Sequence, residues 1–329
     1  MKSSVVFIFI GAILNVITAP LFAIPNPDKS EFIFMDELEV GMIGEAHTVI
    51  EGVRIDSFTV ELLGIAKDSG FNNRDFLLCK MSGEVIEKSG GVAGGMSGSP
   101  VYFSGRLAGA VSGHWGFTDQ TVGIVTPIEY MLEELEFLKL DSEMEGNDAP
   151  VTAWKDRGNN SLTKATREIE IVESGEFIPA TDKMVFVKAS TPMYISGIEE
   201  KDLKLIEPLL NETGNQVFIV PINYPPNIDV QKSFSPGCTL SIPLSRGDIS
   251  MGGFGTVTWV SKDEKYFLGF GHAMGRRGPC NIPAGTGYIY GVLRSRSRST
   301  KLGVAIDPIG VVKQDRGDAI AGVIGDVPE

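Results

Sequence analysis

Histidine, cysteine and positive charge are all scarce in this chain of 329 residues. It contains three histidines and three cysteines, and its 29 Lys and Arg are outnumbered by 42 Asp and Glu, so that the net charge is −13. Nucleic acids and anionic membrane surfaces are bound through a basic face, so the acidic excess argues against both as partners. Hydrophobic residues make up 43% of the chain, which is enough to bury a core. The composition therefore predicts a globular protein.

The three cysteines, Cys79, Cys238 and Cys280, are too few for a disulfide framework. The sequence contains no CxxC motif and no His/Cys cluster, so we expect neither a metal site nor a cofactor. If the chain is exported, it can form one bridge, and Cys238 with Cys280 is the favoured pair because both lie in the C-terminal block. Cys79 in "DFLLCKM" is interpreted as a buried, inert thiol.

Long apolar runs are absent except at the beginning of the chain. Lys2 precedes an apolar run that ends near Phe22, followed by a small residue, and this pattern predicts a secretory signal peptide over residues 1–23. The alternative is an uncleaved membrane anchor, which Asn15 and Pro20 disfavour because both weaken a spanning helix. We therefore expect an exported protein, periplasmic or extracellular, that contacts a membrane at most through this segment.

Glycine, by contrast, is abundant, with 39 residues, and it separates short runs that alternate like strands. Such runs are found before and after a polar middle part of the chain. The clearest predictions are strands over 58–66, 76–81 and 121–127, a hairpin closed by Ser104-Gly105, a helix over 128–140 and a second helix over 199–214. The pattern predicts a mainly β protein.

One glycine-rich stretch, "GGMSGSPVYFSGRLAGAVSG" from residue 94, is more than a turn requires. Glycines permit positive φ, which lets neighbouring amide groups point to one side. The amides of Gly95 and Ser97 are predicted to form an oxyanion hole, and the Ser97 hydroxyl is the predicted nucleophile. The G-x-S-x-G elbow of α/β-hydrolases does not fit, because Ser99 stands where its second glycine would be.

A serine nucleophile requires a base, and the chain offers His47, His114 and His272. His47 in "GEAHTVI" is interpreted as an ordinary position of a strand. His114 and the adjacent Trp115 are expected to line the substrate cleft. His272 lies among small residues in "FLGFGHAMG", which leaves its ring room to approach a serine, and it is the predicted general base.

These motifs carry a family resemblance. The serine loop and the downstream "VGIVTPIEYM" resemble trypsin-like proteases, and "EKSGGVAGGMSGSPVYFSGRLAGAVSG" with "GFGTVTWV" and "FLGFGHA" resembles the SpoIVB serine peptidases. The resemblance implies endopeptidase activity on a protein or peptide substrate and a trypsin-like double β-barrel. Together with the strand pattern and the polar middle part of the chain, it predicts a serine-bearing half over residues 24–140, a linker and small α/β insert over 141–235, and a histidine-bearing half over 236–329.

The sequence departs from the family pattern in two ways. In the SpoIVB peptidases the histidine block comes first, whereas here the serine block precedes the histidine block, so the two blocks are in permuted order. A catalytic triad allows this, because its geometry does not depend on chain order. The position of the family's acid is occupied by Ser82. Asp75 is the first substitute and Asp248 the second. The alternatives to an active peptidase are an inactive trypsin-like scaffold that binds peptides or envelope components, and an esterase that uses the same serine.

Overall fold

The fold was analysed in a computed structural model of the chain. The structure describes residues 28, 30–68, 74–114, 120–144, 169–172, 184–187, 191–199, 201–202, 217–220, 230–295, 298–325 and 327. The predicted signal peptide, Trp115 and most of the helix predicted over 199–214 lie outside these residues. Across the described residues, no helix has both the length and the apolar character needed to cross a membrane.

The first half of the chain forms a closed six-stranded barrel with strand order β1-β2-β3-β6-β5-β4. Alternation creates its core: Phe58, Val60 and Leu62 of the second strand are buried, and the residues between them are more exposed. The elements are β1 (Ile43–Val49), β2 (Ile55–Ala66), β3 (Phe76–Ser82), α1 (Glu84–Ser89), β4 (Pro100–Phe103), β5 (Arg106–His114) and β6 (Val122–Pro127). A 3-10 turn, Met35–Glu37, precedes β1.

The β4–β5 hairpin turns at Ser104 and Gly105, as the sequence predicts. Both residues have positive φ, 51° at Ser104 and 74° at Gly105. Positive φ at both central residues is the signature of the type I′ turn that matches the twist of paired strands. The chain leaves the serine loop along β4, reverses direction at this turn and returns along β5. Strand β5 therefore lies beside the serine loop.

The described parts of the C-terminal half form an eight-stranded sheet ordered β10-β9-β12-β11-β14-β15-β16-β13. Because β12 also pairs with β13, six of these strands form a closed circuit. The strands are β7 (Ile169–Val172), β8 (Met184–Val187), β9 (Met193–Ser196), β10 (Val217–Ile219), β11 (Thr239–Ser245), β12 (Ser250–Val260), β13 (Tyr266–Gly269), β14 (Gly278–Leu293), β15 (Thr300–Asp315) and β16 (Ile320–Ile324). The mainly β class is confirmed.

In the middle segment, two short strand pairs are described. β7 pairs in parallel with β8, and β9 pairs in parallel with β10. β9 is also joined to β12 in antiparallel register, so this pair extends the second sheet.

Helix α2 (Ile128–Met144) lies between the barrel and the second sheet. Its apolar residues recur at helical spacing, as the sequence predicts, and they pack on residues of both units. This cluster includes Ile128, Met131, Leu135 and Leu138 of the helix with Phe32, Trp259, Tyr266 and Leu268. The helix therefore fastens the serine-bearing unit to the histidine-bearing one.

The favoured disulfide between Cys238 and Cys280 is wrong, since all three cysteines are free thiols. In the antiparallel pairing of β11 with β14, Ser241 faces Gly285. This register places Cys238 and Cys280 at opposite ends of the strand pair, beyond the reach of a bridge. Cys79 is fully buried, and burial raises the pKa of its thiol to about 12, as an inert thiol requires.

Charged side chains cluster where α2 meets the second sheet, and Glu134 of the helix is buried among them. The Glu134 side chain is 5% exposed and lies 3.6 Å from Arg316 Nε, while Arg74 Nε lies 3.3 Å from an Asp318 carboxylate oxygen. Burial and the neighbouring Asp318 raise the pKa of Glu134 to about 8 despite the nearby guanidinium groups. Glu134 is therefore protonated in the folded protein at pH values where it is ionised in the unfolded chain.

We expect Glu134→Gln to stabilise the protein at alkaline pH. A carboxyl group whose folded pKa is raised contributes fully below its unfolded pKa, and this contribution is lost as the pH rises through about 8. The variant should gain about 1–3 kcal/mol of unfolding free energy at pH 9 and almost nothing at pH 5. Urea unfolding at both pH values measures this. Glu136→Gln, on the exposed face of the same helix, is the control, and equal effects of the two variants would contradict the prediction.

Candidate active site

The serine loop connects α1 to β4 by a tight course through Gly95, with φ of 91°, and Gly98, with φ of 94°. Met96 is fully buried and anchors the loop in the barrel core. Ser97 follows it and is 8% exposed. Positive φ at two positions is accessible to glycine at little cost, so the glycines of the motif are required by this loop.

The amides of the loop fall into two groups. Four of them donate to backbone carbonyls: Gly94 to Ser299 (2.8 Å), Met96 to Ala93 (3.0 Å), Gly98 to Val111 (2.7 Å) and Ser99 to Met96 (2.9 Å). The amides of Gly95 and Ser97 have no acceptor in the described part of the chain, although both residues are buried. Buried amides without an acceptor are rare in native structures. The two exceptions are the pair predicted to form the oxyanion hole.

The loop packs directly against the histidine-bearing unit. The Thr256 amide on β12 donates to the Ser97 carbonyl at 2.8 Å, and the Phe270 amide after β13 donates to the Thr256 carbonyl at 3.3 Å. Two threonine hydroxyls of β12 add further bonds, from Thr256 to the Gly95 carbonyl (3.0 Å) and from Thr258 to the Gly98 carbonyl (2.8 Å). The two sequence blocks are therefore joined at the serine.

This contact requires a glycine after the serine. A Cβ atom added to Gly98 would lie 2.0 Å from the Thr256 carbonyl oxygen and 2.5 Å from the Phe270 amide nitrogen. Both neighbours are backbone atoms, which cannot rotate away as a side chain could. The loop and β12 can therefore approach so closely only because residue 98 lacks a side chain.

The backbone takes an unusual course immediately before His272. Phe270 has φ of 68° and Gly271 has φ of 67°. An aromatic residue in the left-handed region is a true outlier, and such strained residues are concentrated at functional sites. The segment is held to the barrel by Thr126, whose hydroxyl donates to the Gly271 carbonyl at 2.7 Å. His272 is thus carried to the junction of the two units and is 5% exposed.

The His272 ring is oriented by its own turn. Its Nδ1 lies 2.7 Å from the Ala273 carbonyl oxygen, and because a carbonyl only accepts, Nδ1 carries the proton. In the neutral ring the basic nitrogen is then Nε2, which is the form a general base requires. Among the described residues no hydrogen bond joins Ser97 to His272.

Sequence reasoning missed Asp315, a buried carboxylate that organises the turn after His272. Its two oxygens accept the amides of Met274 and Gly275, both at 2.8 Å, and of Arg277 at 3.3 Å. The side chain is 1% exposed. An aspartate that ends an apolar strand is a visible signal in the sequence, but the turn that it binds lies about forty positions earlier in the chain.

The structure does not bring Asp75 to His272. Asp75 accepts a bond from Lys67 Nζ at 2.6 Å and from the Asp68 amide at 2.9 Å, in the connection between β2 and β3. Partial burial would raise its pKa, but the hydrogen bonds from Lys67 and Asp68 outweigh this and lower it. No interaction with His272 is present in the described residues. Asp248, the second predicted acid, is exposed in the turn between β11 and β12.

The other histidines lie apart from this junction or at its edge. His114 ends β5, is 8% exposed and faces Gly123 of β6. Trp115, its predicted partner in the cleft, is outside the described residues. His47 is on β1, with its ring 5.2 Å from the Tyr102 ring and 3.4 Å from a Glu45 carboxylate oxygen. This agrees with its interpretation as an ordinary position of a strand.

Comparison with known proteins identifies one part of the chain. Residues 26–132 match the family model described as SpoIVB peptidase S55. The match covers the first barrel with the serine loop and ends before the histidine-bearing unit. It confirms the resemblance to this family and supports a serine peptidase, a hydrolase of SpoIVB type. No curated protein and no solved structure matches the chain.

Proposed function

We propose that this chain is an exported serine endopeptidase with Ser97 as nucleophile and His272 as general base, and the SpoIVB peptidase S55 match at residues 26–132 supports the peptidase activity. The observation that carries the proposal is that the amides of two buried residues, Gly95 and Ser97, have no acceptor among the described residues. Both belong to the family-matched loop that carries Ser97, and two such donors suit the oxyanion of an acyl-transfer intermediate.

The mechanism follows from this arrangement. Ser97 Oγ attacks the peptide carbonyl while His272 Nε2 takes the hydroxyl proton, and the amides of Gly95 and Ser97 bind the oxyanion. His272 then gives the proton to the leaving amine, which departs as the peptide bond breaks and leaves an acyl-enzyme. A water molecule, activated by the same ring, releases the acid and restores Ser97.

Among the described residues no carboxylate is bonded to His272, so the proposal names no triad acid. The Ala273 carbonyl fixes the ring tautomer, and Asp315 holds the turn that follows the ring. A carbonyl can orient the ring but brings no full negative charge to stabilise the imidazolium. We therefore expect a slower enzyme than one with a complete triad, since losing the acid lowers the rate without removing the nucleophile.

The strand pairings support a trypsin-like architecture with two barrels. The serine-bearing unit is a closed barrel, and the pairing of β12 with β13 makes a second closed circuit of six strands. In this interpretation the substrate cleft lies at the junction of the two units, to which both the serine loop and the His272 segment belong, and the serine unit precedes the histidine unit in the chain. His114, at the end of β5, is proposed to line the cleft. Export is proposed from the N-terminal apolar segment alone.

A fluorophosphonate probe tests the proposal, because it reacts with activated serines. The wild-type protein should be labelled, and Ser97→Ala should abolish labelling because the reacting oxygen is removed. Ser57→Ala, at an exposed position of β2, is the matched control and should be labelled like wild type. Labelling of Ser97→Ala at the wild-type rate would refute the assignment of the nucleophile. Cleavage of casein or a peptide library separates a peptidase from an esterase that hydrolyses only small esters.

A second candidate is an inactive scaffold that uses the same cleft to hold peptides or envelope components. It is favoured by the lack of a bond between Ser97 and His272 and of a bond between Asp75 and His272 among the described residues. Folded wild-type protein that is not labelled by the probe, and that binds peptides without cleaving them, would support this candidate over the peptidase.

A further inference from the structure

Lys301 on β15 is a buried lysine behind the serine loop. Its side chain is almost entirely inaccessible, with the residue 1% exposed. Its ammonium nitrogen donates to the hydroxyl of Thr48 at 2.7 Å, and Thr48 is itself fully buried on β1. Fully buried lysines are rare and destabilising unless their charge is partnered. A single neutral hydroxyl is a weak partner, so the cost of this arrangement indicates a role beyond packing.

The same residue contacts the loop that carries the proposed oxyanion amides. The Lys301 amide donates to the Gly94 carbonyl at 2.9 Å, and the Gly94 amide donates to the Ser299 carbonyl at 2.8 Å, so residues 299–301 and Gly94 pair like adjacent strands. A Cβ atom added to Gly95 would lie 3.1–3.3 Å from three carbons of the Lys301 side chain. Lys301 therefore lies along the peptide that joins Gly94 to Gly95.

We infer that Lys301 is a positioning residue for the oxyanion hole: its backbone and aliphatic chain fix the Gly94–Gly95 peptide, and its bond to Thr48 ties that peptide to β1. This inference rests on the proposed function, since it assigns a role within the same site. The Gly95 amide can bind an oxyanion only if its direction is fixed in advance. β1 belongs to the first barrel and β15 to the second sheet, so the bond also fixes the units relative to each other at the loop.

Burial makes the charge of this lysine sensitive to pH near neutrality. Burial lowers the pKa of Lys301 to about 7, and Cys238 is the titratable neighbour that acts on it among the described residues. Burial raises the pKa of the Cys238 thiol to about 12, so this neighbour is neutral near pH 7. No carboxylate is bonded to Lys301 in the part of the chain that the structure describes. When it is protonated, Lys301 therefore carries an uncompensated positive charge beneath a loop that would hold a negative oxyanion.

The test compares the fluorophosphonate labelling rate with the thermal midpoint in Lys301→Met, which keeps the aliphatic chain and removes the ammonium group. We expect the labelling rate at pH 6.5 to fall by at least about tenfold. This loss should be smaller than the 10²–10³-fold loss of rate that follows removal of an oxyanion donor. The thermal midpoint should be unchanged or higher, because a buried charge is replaced by an apolar group. A purely structural role would lower both quantities together, and that result would overturn the inference.

Two variants of the partner and one control complete the experiment. Thr48→Val removes the hydroxyl and should slow labelling like Lys301→Met, whereas Thr48→Ser keeps the hydroxyl and should restore the rate to within about twofold of wild type. Lys313→Met, at a partly exposed lysine of the same strand that donates to Asn281, should leave the rate unchanged. Wild-type labelling that Ser97→Ala abolishes but Lys301→Met leaves unchanged would refute the role of Lys301 alone. Absence of labelling in the wild type would instead refute the proposed function.

Discussion

Replacement of His272 by alanine is expected to lower kcat/KM for peptide cleavage by about 10⁴ to 10⁶, the loss that follows removal of a general base from a serine peptidase. Without the imidazole, the Ser97 hydroxyl has no group to take its proton at neutral pH. The oxyanion amides and the substrate contacts would remain, so a residual activity above that of water is also expected. The measurement is the rate of cleavage of casein or a peptide library, with circular dichroism to verify folding.

Two further variants serve as controls for His272→Ala, and one of them tests whether Asp75 is the triad acid. His47→Ala should change the rate by less than about threefold, because this ring lies against Tyr102 and Glu45 on β1 and takes no part in the proposed site. Asp75→Asn should likewise have little effect on the rate, since its carboxylate is bonded to Lys67 and Asp68. A loss in Asp75→Asn as large as that in His272→Ala would contradict our account and restore Asp75 as the triad acid.

The barrel strands and helix α2 could be predicted because local periodicity determines them. Phe58, Val60 and Leu62 alternate with more exposed residues, and this alternation alone identifies a half-buried strand. The helix is identified by apolar residues spaced to form one face, from Ile128 to Leu138. Where one face of an element is buried, the sequence carries that information within a few residues.

The sequence could not reveal contacts between distant segments. The place of Cys238 and Cys280 in one C-terminal block favours a disulfide between them, but the register of β11 with β14 separates the two residues. The bonds of Asp315 to Met274 and Gly275 span about forty positions, and those of Lys301 to Gly94 and Thr48 span more than two hundred. Such pairs depend on strand order, which no local pattern determines.

The serine loop could be predicted in part, unlike the contacts between distant segments. The glycines around Ser97 indicated that some amides would be turned to one side, and the structure leaves two amides, of Gly95 and Ser97, without an acceptor in its described part. The sequence did not reveal why the second glycine is needed. Gly98 meets the backbone of Thr256 and Phe270, so it serves the contact between the two units rather than the oxyanion hole.

Gly98→Ala is therefore expected to lower the free energy of unfolding by about 3–5 kcal/mol, among the largest effects of single substitutions. A methyl group at this position would lie 2.0 Å from the Thr256 carbonyl oxygen, and φ of 94° is strained for alanine. Because the obstructing atoms are backbone, the clash can be relieved only by moving β12 away from the loop. Urea unfolding measures the loss.

Gly105→Ala separates the two causes. Gly105 also has positive φ, 74°, but a Cβ atom there would meet nothing within 4 Å. Its substitution should therefore cost only the backbone strain, about 1 kcal/mol. If both variants lost the same free energy of unfolding, the serine loop would not pack on the backbone of Thr256 and Phe270. Our conclusion that the serine and histidine segments are joined at this contact would then be wrong. A large loss of unfolding free energy in Gly98→Ala alone, together with loss of fluorophosphonate labelling at Ser97, would support the opposite conclusion. The position of the proposed nucleophile would then depend on the packing of the two units.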